Sequence, residues 1–229
     1  MAGPSQIDSK SESERLLLVE GIDDCHAIFH LIRLVRQADP VFGIHECGGD
    51  QGVLDNLAAR LVSSTPKQKV LGLVLDADIE GLNPSKVVQS RLDQLASRAG
   101  AYYHFPVVFP EDGLVLDPLA DRPDVDRLPR LGVWLMPNNE AFGMFEDLLI
   151  RSLSDELAEY TMAVVKKAKA DGIGSFKDAH LSKAVIHTYL AWQDPPDIHR
   201  LGLAIRKGHF EDIQAEFKVF LRWLEKLFG

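Results

Sequence analysis

The stretch that most limits what this chain can become is residues 69–78, KVLGLVLDAD, in which Val70 to Leu75 form an almost wholly apolar run ending on Asp76 and Asp78. An uninterrupted run of this length, with β-branched Val70 and Val74, suits a strand covered on both faces, as in a parallel α/β sheet. Ligands of such sheets bind beyond the carboxyl ends of the strands, so acids placed there meet solvent, metal or phosphate instead of being buried unpaired.

The neighbouring segments repeat the theme. Arg15 to Val19 (RLLLV) reads as a first buried strand closing on Glu20-Gly21, and Ile28, Phe29, Ile32 and Val35 then recur at helical spacing. Asp23 or Asp24 caps or begins that helix, where the free N–H groups favour carboxylates. Phe42 to Cys47 is a second strand, turned by Gly48-Gly49-Asp50 into a helix with Val53, Leu54, Leu57 and Leu61 on one side. The two glycines serve either as a plain turn or as a close approach for a phosphate. Pro84 opens a third helix running to about Ala99, and Tyr102 to Phe109 reads as a short strand broken by Pro106. Residues 110–130, rich in Pro and Asp, read as a long loop of the kind that forms lids or insertions. Leu131 to Met136 is the last strand, and GMFEDLLIRSL begins a helix after it.

From Ser154 the pattern is helical, over about 154–170, 178–193 and 210–228, where Phe217, Phe220, Leu221, Leu224 and Phe228 form an apolar stripe that reads as core. The expected organisation is a disordered tail over 1–13, an α/β domain over 14–150, and a helical extension over 151–229 packed on it. Strand and helix alternation implies a mostly parallel sheet flanked by helices. Such a sheet brings the ends of the first, third and last strands to one edge, so Glu20, Asp76, Asp78 and Glu146 or Asp147 converge.

Charge points the same way. The formal net charge is −9, which argues against a chain that holds nucleic acid by general basicity. Residues 151–229 carry 12 Lys and Arg against 11 Asp and Glu, whereas residues 1–150 carry 13 against 23, so the acidity lies with the two aspartates. Cys25 and Cys47 lack metal-site spacing and read as reduced thiols of a cytoplasmic protein. No apolar run approaches the about 20 residues of a membrane span, and the polar start is unlike a signal peptide.

Two aspartates one residue apart repel. They are tolerated when one takes a proton, both are solvated, or a cation bridges them. Hard oxygen ligands of this kind select Mg²⁺, Mn²⁺ or Ca²⁺ over zinc. Glu146 and Asp147 either complete the ligand shell or serve as acids at a helix start. Lys183 and His187, four apart on one helix, either reach substrate phosphate or form a solvated face.

Val19-Glu20-Gly21-Ile22-Asp23-Asp24, followed by Val74-Leu75-Asp76-Ala77-Asp78, resembles the Toprim signature, an EG-x-x-D segment after the first strand and a D-x-D after the third. The resemblance spans about residues 14–150. GVWLMPNNEAFGMFEDLLI, KAVIHTYLAWQ and FLRWLEKLF are similar to the Toprim-like group DUF3226, related to the nuclease domains of the overcoming-lysogenization-defect family.

That resemblance implies a Toprim-like fold, Glu20 as general acid/base or ligand, Asp76 and Asp78 as Mg²⁺ (or Mn²⁺) ligands, and Asp24 in the place of the signature's aspartate. It implies a metal-dependent nuclease acting on DNA or RNA, of the kind found in phage defence. Such domains are often paired with ABC-type ATPases. The chain has no G-x-x-x-x-G-K-[ST], so an ATPase partner is expected to be a separate protein, and a homo-oligomer is the other way to assemble a basic groove. A topoisomerase needs a tyrosine on a separate strand-passing domain and a primase needs a nucleotidyl-transfer core, for which the rest of the chain leaves no room; Tyr102, Tyr103, Tyr160 and Tyr189 are assigned to packing. Two other readings stay open, a non-catalytic scaffold that binds a partner and a nucleotide phosphohydrolase.

Overall fold

The computed structural model describes residues 13–63, 65–78, 82–196 and 200–229. The tail expected over 1–13 lies, except for Ser13, outside them. The elements are β1 (Arg15–Val19), α1 (Ile22–Arg36), β2 (Gly43–Glu46), α2 (Asp50–Leu61), β3 (Val70–Asp76), α3 (Val87–Ala99), β4 (Leu114–Leu116) and β5 (Arg130–Met136). They continue with α4 (Phe145–Arg151), α5 (Asp155–Ala170), α6 (Leu181–Ala191), α7 (Leu201–Lys207), α8 (Ile213–Glu216) and α9 (Lys218–Phe228).

The strands form one sheet in the order β2-β1-β3-β5-β4. The first four run parallel, with Leu17 opposite Ile44 and Gly72, and Gly72 opposite Gly132; only β4 is antiparallel, with Leu114 opposite Val133. This is a mostly parallel α/β sheet flanked by helices, consistent with a Toprim-like fold.

Both faces are covered, which explains the apolar runs. Leu16, Leu18, Leu71, Leu73 and Leu75 pack on one side against Leu57 of α2 and Leu95 of α3. Leu17, Val19, Val74 and Trp134 pack on the other against α1 and the C-terminal helices, including Phe217, Phe220, Trp223 and Phe228. Alternate residues of each strand therefore serve different layers, and no polar alternation is needed. The C-terminal stripe is core, as expected.

Glycine brings α9 close to the sheet. A Cβ on Gly132 would overlap the Leu227 side chain, and one on Gly72 would come within 2.7 Å of Leu17 Cδ1 and 3.0 Å of Phe228. These paired glycines on β3 and β5 form a floor on which Leu227 rests.

Three expectations need correction. Tyr102 to Phe109 is not a strand: Pro106 donates no N–H, and Val107 and Val108 point to solvent at 86% and 73% exposure, while Tyr103 and Phe109 are buried as single anchors. The tract 110–130 is not all loop, since Leu114–Leu116 supply the antiparallel edge strand. The helix expected over 210–228 divides into α8 and α9. Among the described residues, no helix is long and apolar enough to cross a membrane.

Candidate metal centre

The carboxyl ends of β1 and β3 lie side by side. Glu20 follows directly on β1, and its Oε1 accepts the backbone N–H of Asp76 at 2.7 Å. The turn after β2 supports Glu20 from the other side, with Gly49 N–H donating to Glu20 O at 2.8 Å. Gly48 and Gly49 have φ of 75° and 115°, which glycine alone adopts without strain, so the Gly-Gly pair acts as a turn with one N–H already engaged.

Helix α1 starts immediately after Glu20. Asp24 Oδ2 accepts the Gly21 N–H at 3.0 Å, so the aspartate in the signature position caps the helix while its carboxylate stays at the strand edge. On the far side, Asp147 Oδ2 takes the Met144 N–H at 2.7 Å and Asp147 Oδ1 takes the Ser182 hydroxyl at 2.6 Å. Both Asp147 oxygens are thus committed, one to capping α4 and the other to joining α4 to α6. That joint sets Lys183 beside Glu146.

Glu20, Asp24, Asp76, Asp78 and Glu146 form one electrostatic unit. Asp76, 9% exposed, is pushed well above the usual carboxylate range by burial and then by Asp24, Glu20, Glu146 and Asp78. Burial lifts Glu20 to about 7 against its Asp76 hydrogen bond, and Asp78 and Asp24 add to the rise. Glu146 is raised to about 7 by burial, opposed by Lys183, and Asp24 to about 6 by burial, opposed by its Gly21 bond and by Lys183. Asp78 is raised too, by burial. Burial pulls Lys183 down, but Glu146, Asp76, Asp24 and Asp78 together hold it above its ordinary value. His187 is exposed on the same helix.

Two members of the site escaped the sequence reading. Arg91 is 1% exposed; its Nε donates to Asp76 O at 3.1 Å, its Nη1 to Asp50 Oδ2 at 2.7 Å, and its Nη2 stands 4.0 Å from Asp78 Oδ1. Asp50 lies below the usual range: burial raises it, but the Arg91 hydrogen bond and charge prevail. The signal was present, because Arg91 falls on the stripe Val87, Leu92, Leu95, Ala99, where a charge needs a buried partner.

All five clustered acids offer hard oxygen donors, and burial keeps their carboxyls raised even with Lys183 and Arg91 nearby, so the residues fit a hard divalent ion in chemistry. They do not stand ready-made around one: among the described residues, no three His, Cys, Asp or Glu form a group that could hold a metal.

No curated protein and no solved structure matches the chain. Residues 14–229 match the family described as "Protein of unknown function (DUF3226)", and the chain belongs to that family.

Proposed function

We propose that the acidic edge binds Mg²⁺ or Mn²⁺ and that the protein hydrolyses phosphodiester bonds of DNA or RNA, in the manner of Toprim-type nucleases related to the overcoming-lysogenization-defect family. The observation that carries this reading is the convergence of Glu20, Asp24, Asp76, Asp78 and Glu146, whose carboxyls are all raised. Such an arrangement is costly without a cation and becomes useful with one.

Glu20, Asp76 and Asp78 are the ligands in this account, with Asp24 and Glu146 completing the shell. A divalent ion bound there polarises a phosphodiester and activates water. The chain's own groups orient this set. The Asp76 N–H fixes one Glu20 oxygen, and Arg91 draws Asp78 and the Asp76 carbonyl to one side. Lys183, exposed above the acids, is the group available to meet a substrate phosphate. The net charge of −9 favours a partner or a second copy for holding a polyanion, and a separate ABC-type ATPase in the cytoplasm is the partner this reading takes.

A second reading rests on the lack of a ready three-donor group among the described residues: a scaffold that binds partners without catalysis. A panel of labelled DNA, RNA and nucleotides incubated with Mg²⁺ or Mn²⁺ separates the two. Wild-type protein is expected to cut a nucleic acid, and Glu20→Gln and Asp76→Asn to lose at least about 100-fold in rate, about 2.7 kcal/mol. Absence of cleavage, alone and with a partner, leaves the scaffold; release of phosphate from nucleotides only leaves the phosphohydrolase.

A further inference from the structure

We propose a second ligand site, remote from the acidic edge: the pocket between β2 and the C-terminal half of α2 binds a phosphate group. It is a cavity of about 470 Å³ bounded by His45 of β2, Asn56 and Arg60 of α2, and Ser63, Thr65 and Lys67 of the following turn. None of the described residues lining it is acidic, in a chain whose formal charge is −9. The lining offers two cationic side chains, a histidine and hydroxyl and amide donors, the set that recognises a phosphoryl oxyanion.

Arg60 carries the argument. Its Nη1 donates to Gln68 Oε1 at 3.1 Å, while its Nε is buried with no partner, and among the described residues no carboxylate pairs with it. A partly buried guanidinium lacking a counter-charge is costly. The neighbouring thiol of Cys47 does not supply one, because burial pushes it up to about 11, leaving it neutral at pH 7. A phosphate in the cavity supplies the missing charge, and the guanidinium fork suits its geometry.

The site is distinct from the acidic edge. Asp50, which pairs with Arg91 there, opens α2, and Arg60 lies ten residues further on, about 15 Å along the axis. The phosphate comes either from a free nucleotide or from a nucleic-acid strand, and the inference holds whether or not the acidic edge is catalytic.

The test uses the full chain in EDTA, so that no divalent ion reaches the acids. Inorganic phosphate, a mononucleotide and a short single-stranded oligonucleotide are titrated separately, with calorimetry for affinity and amide NMR for location. All three are expected to shift the amides of lining residues such as Asn56, Arg60, Ser63, Thr65 and Gln68, Arg60→Gln to weaken binding by about tenfold or more, and Asp76→Asn to leave it unchanged. Tighter binding of the mononucleotide assigns the phosphate to a free nucleotide, and tighter binding of the oligonucleotide assigns it to a strand. His45→Gln serves as a second variant should Arg60→Gln not fold, with weaker binding expected. No localised shift with any of the three ligands, or wild-type affinity in a folded Arg60 or His45 variant, overturns the proposal.

Discussion

Glu20 and Asp76, 56 residues apart, are joined by a 2.7 Å hydrogen bond from the Asp76 backbone N–H to the Glu20 carboxylate. The β1–β3 register ends at Leu18 and Leu73, so on the β1 side of β3 a side chain takes over from the strand, while β5 stays paired on the other side through Asp76 and Met136. The same carboxylate is the acid that the sequence places in the metal site.

Glu20 therefore has a structural and an electrostatic role with opposite signs. Glu20→Ala leaves a buried N–H without its acceptor and is expected to cost about 1–3 kcal/mol. Glu20→Gln keeps an acceptor and removes a charge from a repelling cluster. In metal-free protein at pH 8, chemical denaturation should find Gln at least as stable as wild type and Ala clearly less so.

The raised carboxyls make metal-free stability depend on pH. Unfolded, these acids titrate near about 4; folded, Glu20 and Glu146 are raised to about 7 and Asp24 to about 6. Between those values the folded state binds more protons, so stability falls as pH rises through the window and levels off above it. In EDTA the melting temperature should drop by on the order of 5 °C between pH 5 and pH 7.5. A curve that rises over that range contradicts the assignment.

Arg91 is expected to be among the least replaceable side chains. Truncating it to Ala leaves the buried Asp76 carbonyl without its donor and the half-exposed Asp50 without its partner, and should cost about 1–3 kcal/mol, measured by urea unfolding. Lysine does not reproduce a fork that serves several acceptors from one plane, so Arg91→Lys should recover little of the loss.

The glycine floor predicts coupling between strand and helix. Gly132→Ala forces a methyl against Leu227 and should destabilise by about 1–3 kcal/mol. Adding Leu227→Ala opens the space, so the double variant should lose clearly less stability than the sum of the two single losses in a thermodynamic cycle.

Much of this was legible in the chain. Apolar runs with no polar alternation announced a sheet covered on both faces, and Glu20, Asp76 and Asp78 sit where strand ends predict. What escaped depends on contacts between segments distant in sequence. Leu114–Leu116 is too short to show a period and is a strand because Leu114 finds Val133. Tyr102 to Phe109 has strand-like composition, but Pro106 and two solvent-facing valines keep it out of the sheet. Arg91 escaped although it lies on an apolar stripe, because the Asp76 carbonyl and Asp50 that hold it come from elements distant in sequence. Asp147 resembled Glu146 as a candidate ligand, yet both its oxygens are taken by Met144 and Ser182.

The central claim is that the acids at the ends of β1 and β3 share a divalent ion, and calorimetric titration of Mn²⁺ into EDTA-stripped, dialysed protein tests it most directly. Wild type should bind Mn²⁺ with release of protons at pH 7, and Asp76→Asn should bind at least about tenfold more weakly while keeping its fold. Equal Mn²⁺ binding by the two proteins, or no binding by wild type, contradicts it.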